Sequence, residues 1–188
     1  MIESLLQKDT ELLIFLNNLG SEQWDGFWLA LTNQFHWSPL FVFLLFLIYR
    51  KFGWKNGIVM TLFLVVLVAF SDQFTNFIKH SFERLRPCNT EGVFEQLRSF
   101  TYRPGGYSFY SGHASLSMTF TVFLILLLKK HYKYITFLII FPILFGYSRI
   151  YLGVHYPVDI VTGYLAGILW GFLFYKLQKV LRITRRFS

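Results

Sequence analysis

The sequence predicts an all-α membrane protein, a bundle of about six helices. Of its 188 residues, 54% are hydrophobic and only 15% are charged, whereas an average soluble domain is about 25% charged. The apolar residues also fall into successive segments of helix length, with most charges between the segments. The length suits one domain, so we interpret residues 1–188 as a single unit.

The N-terminal region is amphipathic rather than membrane-spanning. Leucines recur at helical spacing up to Gly20, and Asp9 is suited to cap the helix that they define. We therefore predict an interfacial helix within residues 1–20. Residues 24–35 are apolar but interrupted by polar residues, and at about twelve residues they are short for a span. They form either a half-span or the first helix of a tilted pair.

Five better candidates for membrane spans follow. They run over about residues 39–49, 56–78, 111–128, 134–148 and 157–175. With their flanking residues they approach the roughly 17–25 residues that a spanning helix needs. The tight turn at 129–133 makes the third and fourth spans antiparallel neighbours. In the last span Gly163, Gly167 and Gly171 share one face, a spacing that lets helices approach closely in lipid.

Basic residues are distributed unequally between the two ends of this bundle. One end receives the turns around 50–55 and 129–133 together with the C-terminal tail. It holds cations and no acids: Arg50, Lys51, Lys55, Lys129, Lys130, Lys133, Lys176, Lys179, Arg182, Arg185 and Arg186. The positive-inside rule makes that end cytoplasmic. The loop 79–110 and the stretch 148–159 are then extracytoplasmic.

The net charge of +8 is explained by this bias and by attraction to anionic lipid. Nucleic-acid binding is not predicted, because the basic residues lie between apolar spans and no nucleic-acid motif occurs. The single cysteine, Cys88, excludes an internal disulfide and a cysteine-based metal site. Nothing in the sequence indicates an oligomeric state.

Three groups of polar residues fall at the predicted extracytoplasmic end. They are Lys79 and Arg86 after the second span, Ser111, Gly112 and His113 at the start of the third, and Arg149, His155 and Asp159 between the last two. Arginine forks and the backbone N–H groups of a helix start bind oxyanions. Phosphate is therefore the predicted ligand, with Arg86 and Arg149 each able to hold two oxygens and Lys79 adding a point charge.

The two histidines suit proton transfer and nucleophilic attack. A carboxylate beside a histidine fixes its tautomer and stabilises the imidazolium, so His155 with Asp159 is an activated base or nucleophile. His113 is free to protonate a leaving oxygen. Pro157 favours a helix that starts after His155, which leaves open whether Asp159 reaches the ring. Taken singly, these residues are also consistent with interfacial cations and a helix-capping acid. A zinc site is disfavoured because three nearby cations would repel the metal.

These residues resemble the pattern of the type 2 phosphatidic acid phosphatase superfamily, which includes vanadium haloperoxidases and glucose-6-phosphatase. Its first part, Lys, six residues, Arg-Pro, is matched at Lys79, Arg86 and Pro87. Its second part, Pro-Ser-Gly-His, is matched at Ser111, Gly112 and His113, with Tyr110 in place of the proline. Its third part is matched at Ser148, Arg149, His155 and Asp159. The resemblance covers about residues 55–175, which we interpret as the catalytic core.

The resemblance implies a six-helix bundle with its site at the outer leaflet. It implies that His155 attacks phosphorus to form a phosphohistidine, that Asp159 supports it and that His113 protonates the leaving group. Lys79, Arg86, Ser111, Gly112 and Arg149 would hold the phosphoryl oxygens, and no cofactor or metal would be needed. The resemblance is strongest to the bacterial membrane-bound branch, in the inner (plasma) membrane with the site facing outward.

The leading hypothesis is thus a lipid phosphatase whose partners are a lipid phosphate and membrane lipids. Phosphatidylglycerol phosphate, phosphatidic acid, undecaprenyl diphosphate and the phosphates of lipid A are all compatible substrates. The alternatives are a phosphatase for a soluble sugar phosphate and a non-enzymatic phospholipid-binding or transport protein. A simple phosphate trap does not need His155 followed by Asp159, which favours the enzyme.

Overall fold

The computed structural model describes residues 2–98, 100 and 102–183. Within them the chain forms six α-helices and no strand, which confirms the predicted all-α class. The α-helices are α1 Ile2–Asn18, α2 Glu22–Thr32, α3 Ser38–Phe82, α4 Gly112–Leu128, α5 Ile140–Tyr151 and α6 Pro157–Val180. Short 3-10 helices cover Gln34–Trp37, Pro87–Asn89, Phe94–Gln96 and Lys133–Ile139.

Helix α3 contains two of the predicted spans as antiparallel arms. Its regular geometry breaks at Gly53, whose φ of 73° suits a residue without a side chain. The arms fold back on each other there. Tyr49 before the break and Gly57 after it lie so close that a Cβ added to Gly57 would be 2.7 Å from the ring of Tyr49. The predicted turn around residues 50–55 is therefore correct.

The two turns predicted to share the cytoplasmic end do lie together. The rings of Phe52 and His131 meet with centroids 6.1 Å apart, and Tyr132 Oη donates to the carbonyl of Leu47 at 3.2 Å. The fourth span departs from the prediction in one respect. Its first half, Lys133–Ile139, is a 3-10 helix, and α-helical geometry begins only at Ile140.

The glycines of α6 form its contact with α4. A Cβ at Gly163 would lie 2.8 Å from the carbonyl oxygen of Ser111, and one at Gly167 would lie 2.6 Å from that of Ser115. Gly171 continues the contact, with a Cβ position 2.7 Å from the carbonyl oxygen of Thr119. The predicted packing role of these glycines is confirmed, since any side chain would force the helices apart.

The helices have the length and composition of an integral membrane protein. The stretches Gln34–Phe82, Lys133–Tyr151 and Pro157–Val180 are long and apolar enough to cross a bilayer, and α4 is a shorter apolar helix. Large apolar side chains face outward along them, for example Leu62 at 61% and Leu165 at 63% exposed. Such a surface suits lipid rather than water.

The N-terminal helices correct one prediction. Helix α1 begins at Ile2, so Asp9 lies in its interior and does not cap it. Local chemistry made Asp9 a plausible cap, but the helical pattern continues upstream of it. Helix α2 has 11 residues and is therefore about 16 Å long, roughly half the hydrocarbon thickness of a bilayer.

Candidate active site

All eight site residues predicted from the sequence come together at the end of the bundle opposite the 50–55 and 129–133 turns. Five of them are buried: Arg86 is 6%, Arg149 1%, His155 1% and both Ser111 and Asp159 0% exposed. The charges of Lys79, Arg86 and Arg149 all act on the ring of His113. Buried charges on this scale need close partners, and the partners define what the site can do.

His155 lies in the short loop between α5 and α6, directly before the helix. Tyr156 is the N-cap of α6, Pro157 occupies its first position, and Asp159 completes the first turn. Asp159 Oδ2 accepts the backbone N–H of Tyr156 at 3.0 Å and lies 3.4 Å from Nδ1 of His155. Pro157 therefore does not keep Asp159 from the ring. A long hydrogen bond of this kind is common in sites without substrate.

The other ring nitrogen of His155 faces Arg86. Arg86 Nη1 lies 3.0 Å from Nε2 of His155 and 3.1 Å from the carbonyl oxygen of Val154, while Arg86 Nε donates to the carbonyl of Gly105 at 3.0 Å. A guanidinium can only donate hydrogen bonds, so Nε2 must be the acceptor. The neutral imidazole then carries its proton on Nδ1, toward Asp159, and its lone pair on Nε2.

The surroundings of His155 keep it uncharged. Burial, followed by the charges of Arg86, Arg149 and Lys79, holds its pKa well below the ordinary value of 6.5. Burial and the neighbouring Arg149 also lower the pKa of Arg86, which remains a cation because guanidinium does not deprotonate in proteins. The site thus combines a neutral histidine with fixed positive charge, as attack on a phosphate anion requires.

Arg149 is held by two residues that the sequence did not point to. Its Nη1 donates to Oγ1 of Thr32, the last residue of α2, and its Nη2 donates to Oη of Tyr102 at 3.3 Å. Its Nε is buried and has no hydrogen-bond partner among the described residues. The guanidinium is therefore fixed in place, and its Nε–H remains available for an oxyanion.

The start of α4 is tied to the start of α6. Ser111 caps α4 by accepting the backbone N–H of Ala114 at 3.4 Å, and its own N–H donates to the carbonyl of Asp159 at 3.0 Å. A Cβ at Gly112 would lie 3.1 Å from Thr75 of α3, so this position packs tightly against α3. His113, in the first turn, places its ring 5.1 Å from that of Phe145.

Lys79 and Arg86 reach the site by different routes. Helix α3 ends at Phe82, where Glu83 takes a left-handed conformation with φ 48°. The helix therefore does not continue from Lys79 to Arg86, and Arg86 instead caps the 3-10 helix that starts at Pro87. Lys79 interacts electrostatically with Arg86, Arg149 and Asp159. Within the described part of the chain its ammonium group has no ion-pair partner.

The structure adds Arg84, which is not among the eight site residues predicted from the sequence. It donates to Asp159 Oδ1 at 2.7 Å and to Asp9 Oδ2 at 2.7 Å. Its guanidinium also lies 3.8 Å from the ring centroid of Tyr156. These partners are 75 residues away on either side, and no local spacing links them. The one feature of the sequence that could have pointed to Arg84 is its position two residues before Arg86.

The loop between α3 and α4 is closed at its base. Ser108 donates its N–H to the carbonyl of Arg84 at 2.7 Å and its hydroxyl to that of Leu85 at 3.1 Å. Its outer part binds the N-terminal helices, since Arg98 forms an ion pair with Asp25 at 2.8 Å and Asn18 donates to the carbonyl of Gln96 at 3.1 Å. The loop between α3 and α4 and the helices α1 and α2 thus surround the site together.

The fold and this site define a class of protein. A bundle of apolar helices carries, at one end, a carboxylate-backed histidine surrounded by two arginines, a lysine and a helix start. That arrangement is typical of a membrane-bound phosphatase. A family model described as the PAP2 superfamily matches residues 58–183, and the chain belongs to this superfamily as a membrane lipid phosphatase.

Individual relatives agree with this assignment. The chain is 36% identical over 178 residues to a lipid A 4'-phosphatase of Bacteroides thetaiotaomicron, covering 93% of this chain and 79% of that protein. It is 30% identical over 167 residues to an undecaprenyl-diphosphatase of Sulfolobus acidocaldarius, covering 89% and 69% respectively. The fold resembles the crystal structure of a transmembrane PAP2-type phosphatidylglycerolphosphate phosphatase from Bacillus subtilis, with a TM-score of 0.72, 20% identity and coverage of 98% and 90%.

Proposed function

We propose that this membrane phosphatase releases inorganic phosphate from a lipid phosphate through a phosphohistidine at His155, without a metal ion. The catalytic core lies within residues 55–175. The observation that carries the proposal is the arrangement of the His155 ring, with Nδ1 facing Asp159 and Nε2 facing Arg86. A protein that only bound phosphate would need the cations but not an oriented, neutral imidazole.

In the first step Nε2 of His155 attacks phosphorus as the bond to the lipid oxygen breaks. Arg86 moves its hydrogen bond from Nε2 to a phosphoryl oxygen. Arg149 Nε and Lys79 bind the others, together with the hydroxyl of Ser111 and the backbone N–H of Gly112. His113 gives its proton to the leaving lipid oxygen. Asp159 stabilises the positive charge that develops on the ring of His155.

In the second step a water molecule attacks the phosphohistidine. His113, now neutral, takes a proton from that water, and the N–P bond breaks to return the lone pair to Nε2. Phosphate leaves, and His113 is protonated again for the next cycle. Metal ions are not required, because three protein cations neutralise the phosphoryl oxygens throughout.

A lipid substrate is supported by the position of the site at one end of an apolar bundle. A headgroup can enter there while its acyl chains stay in the bilayer. Among lipid phosphates we propose the 4'-phosphate of lipid A, because the lipid A 4'-phosphatase relative is 36% identical across most of both chains. Undecaprenyl diphosphate is the second candidate, favoured by the relative that is 30% identical.

The experiment is phosphate release by the purified protein in detergent from a panel of substrates. The panel contains lipid A, undecaprenyl diphosphate, phosphatidylglycerol phosphate, phosphatidic acid and a soluble sugar phosphate. We expect lipid A to give the highest kcat/KM and the sugar phosphate the lowest. His155→Ala should lose at least about 10³-fold in kcat while eluting as the wild type does in size-exclusion chromatography. Full turnover by that variant would contradict the nucleophile, and faster turnover of the sugar phosphate would contradict the lipid substrate.

The intermediate can be trapped directly. Quenching a reaction with ³²P-labelled substrate into base should leave label on the wild-type protein, because a phosphohistidine survives base and is lost in acid. His155→Ala should carry no label. His113→Ala should accumulate label when the leaving group is a good one, since His113 also assists the water. Label that resisted acid would assign the covalent step to a different residue type.

We also propose that the site faces the periplasm across the bacterial inner membrane, with the basic turns in the cytoplasm. The support is the excess of cations without acids at the 50–55 and 129–133 turns. In a Cys88→Ser background, Glu91→Cys should react with an impermeant thiol reagent on cells with a permeabilised outer membrane. Lys130→Cys should react only after the inner membrane is opened. The reverse pattern would invert the orientation.

A further inference from the structure

Helix α1 presents a buried stripe to the rest of the protein. Asp9, Leu13 and Asn17 are spaced four residues apart on one face and are 4%, 0% and 0% exposed. The opposite face exposes the large apolar side chain of Phe15 at 61%, and Leu19 directly after the helix is 62% exposed. A carboxylate in the buried face of a helix requires specific partners.

Asp9 has two such partners, and both lead to the active site. Its Oδ2 forms an ion pair with Arg84 at 2.7 Å, and its Oδ1 accepts the backbone N–H of Val158 at 2.9 Å. Arg84 in turn forms an ion pair with Asp159 at 2.7 Å, and Asp159 faces His155. Two ion pairs therefore connect Asp9 through Arg84 to Asp159, which faces the proposed nucleophile.

The charges of Asp9, Arg84 and Asp159 together indicate what Asp9 contributes to the site. A single arginine bound to Asp159 would neutralise the carboxylate that stabilises positive charge on His155. With Asp9 present, one guanidinium is shared between two carboxylates, so the group retains a net negative charge beside the ring. Asp9 also holds Arg84 in place, and this fixes Oδ1 of Asp159 while Oδ2 remains directed at the imidazole.

We propose that Asp9 is a positioning residue for the reaction. Resting on the proposed role of His155, it acts through Arg84 to set the orientation and charge of Asp159, and it joins helix α1 to the start of α6. The interfacial helix is then part of the catalytic apparatus rather than a membrane anchor alone. Removing the charge of Asp9 should slow the chemical step and leave substrate binding unchanged, because Asp9 does not touch the phosphate-binding cations.

The test compares Asp9→Asn with the wild type, using a lipid phosphate that the wild type hydrolyses. The asparagine can still accept the N–H of Val158 but cannot pair with Arg84. We expect kcat to fall about 10- to 100-fold, the range for residues that orient metal-bound histidines through hydrogen bonds, with KM unchanged. Asp9→Glu, which keeps the charge, should recover part of the loss. Glu11→Gln removes an exposed carboxylate from the same helix and should match the wild type.

A double variant separates positioning from general damage to the fold. If Asp9 acts through Arg84, Asp9→Asn combined with Arg84→Gln should be no slower than Arg84→Gln alone. Rates are measured on protein recovered as a monodisperse peak, so loss of folded material does not count as loss of activity. Wild-type kcat in Asp9→Asn, or losses that multiply in the double variant, would overturn the inference. His155→Ala is assayed alongside: activity there would refute the nucleophile, whereas an inactive His155→Ala with normal Asp9→Asn would refute only the role of Asp9.

Discussion

Arg86 donates a hydrogen bond directly to Nε2 of His155, at 3.0 Å. The nitrogen that we propose to attack phosphorus is therefore occupied by the same arginine that would bind the phosphoryl group. Phosphate draws the guanidinium toward its own oxygens because a charged acceptor forms the stronger hydrogen bond. We therefore expect substrate binding to free Nε2 of His155 for attack, and to do so more effectively than water.

The electrostatics of this pair predict the pH dependence of turnover. His155 must be neutral to attack, and its pKa in the free protein lies well below 6.5 because of burial and then the adjacent cations. Activity should therefore persist as pH falls through 6.5 and be lost only at lower pH. Arg86→Gln removes one of those cations, so the acid limb of kcat/KM should shift to higher pH.

The measurement is kcat/KM from pH 4 to 8 for both proteins with one lipid phosphate. The substrate has its own ionisation near pH 6 (about the second pKa of a phosphomonoester), but this is common to all variants. Arg103→Gln is the control, since Arg103 is an exposed cation stacked on Phe94. An acid limb in Arg86→Gln at the wild-type position would contradict the proposed influence of Arg86.

The contact between Thr32 and Arg149 predicts a binding defect. Thr32→Val keeps the volume but leaves the buried Nη1 of Arg149 without its acceptor. Leaving a buried donor unsatisfied costs about 1–3 kcal/mol, and the guanidinium is freed to turn away from the phosphate. We expect KM to rise about tenfold, equivalent to about 1.4 kcal/mol, with a smaller change in kcat.

Steady-state kinetics of Thr32→Val and of Tyr102→Phe would test this. Tyr102 is 39% exposed and its contact with Arg149 is 3.3 Å long, so its loss should raise KM only about twofold. Thr10→Val is the matched control, because it makes the same chemical change on α1, where the hydroxyl donates to a carbonyl of its own helix. An unchanged KM in Thr32→Val would show that Arg149 is held adequately without α2.

The glycines between α4 and α6 predict separable effects on stability and activity. Gly163→Ala places a Cβ 2.8 Å from the carbonyl oxygen of Ser111, and overpacking of this kind costs about 1–3 kcal/mol. Because Ser111 binds the backbone of Asp159, activity should fall as well. Gly171→Ala disturbs the same interface at Thr119, away from the site, and should lower stability alone.

Thermal denaturation in detergent and kcat measured at low temperature separate the two effects. Gly26→Ala is the matched control, because a Cβ there meets nothing within 4 Å and alanine favours the helix by up to about 1 kcal/mol. Equal activity losses in Gly163→Ala and Gly171→Ala would indicate that the helix contact does not position Ser111.

The proposed reaction also predicts insensitivity to chelators. Lys79, Arg86 and Arg149 supply the positive charge that a metal would otherwise provide, so EDTA should leave phosphate release unchanged. The assay compares protein dialysed against EDTA with untreated protein, and then adds back Mg²⁺, Mn²⁺ or Zn²⁺. Loss of activity with chelator and its recovery with one ion would refute the metal-free mechanism.

The placement of the motif residues could be predicted from the sequence because it depends on local periodicity and on the alternation of membrane faces. Helical spans of known length bring every second connection to the same side. That reasoning places Lys79, His113 and His155 together, although they are far apart in the chain. The spacing of four residues also suggested Asp159 as the partner of His155, although Pro157 left open whether the carboxylate reaches the ring.

The supporting contacts could not be predicted, because they join elements through tertiary packing alone. Thr32 and Arg149 are 117 residues apart, and Arg84 is 75 residues from both Asp9 and Asp159. The helix-capping role expected for Asp9 is wrong for a definite reason. An acid before a run of leucines has the local pattern of a helix cap, and only the upstream extent of α1 shows that its carboxylate serves α6 instead.

The loop between α3 and α4 closes at Ser108, which is hydrogen-bonded to Arg84 and Leu85. The loop that it closes holds both phosphate-binding arginines, since Gly105 accepts a hydrogen bond from Arg86 Nε at 3.0 Å and Tyr102 accepts one from Arg149 Nη2 at 3.3 Å. The segment that covers the headgroup therefore also supports the groups that bind phosphate. A change of headgroup preference made in this loop would carry a cost in phosphate affinity unless it spared Tyr102 and Gly105.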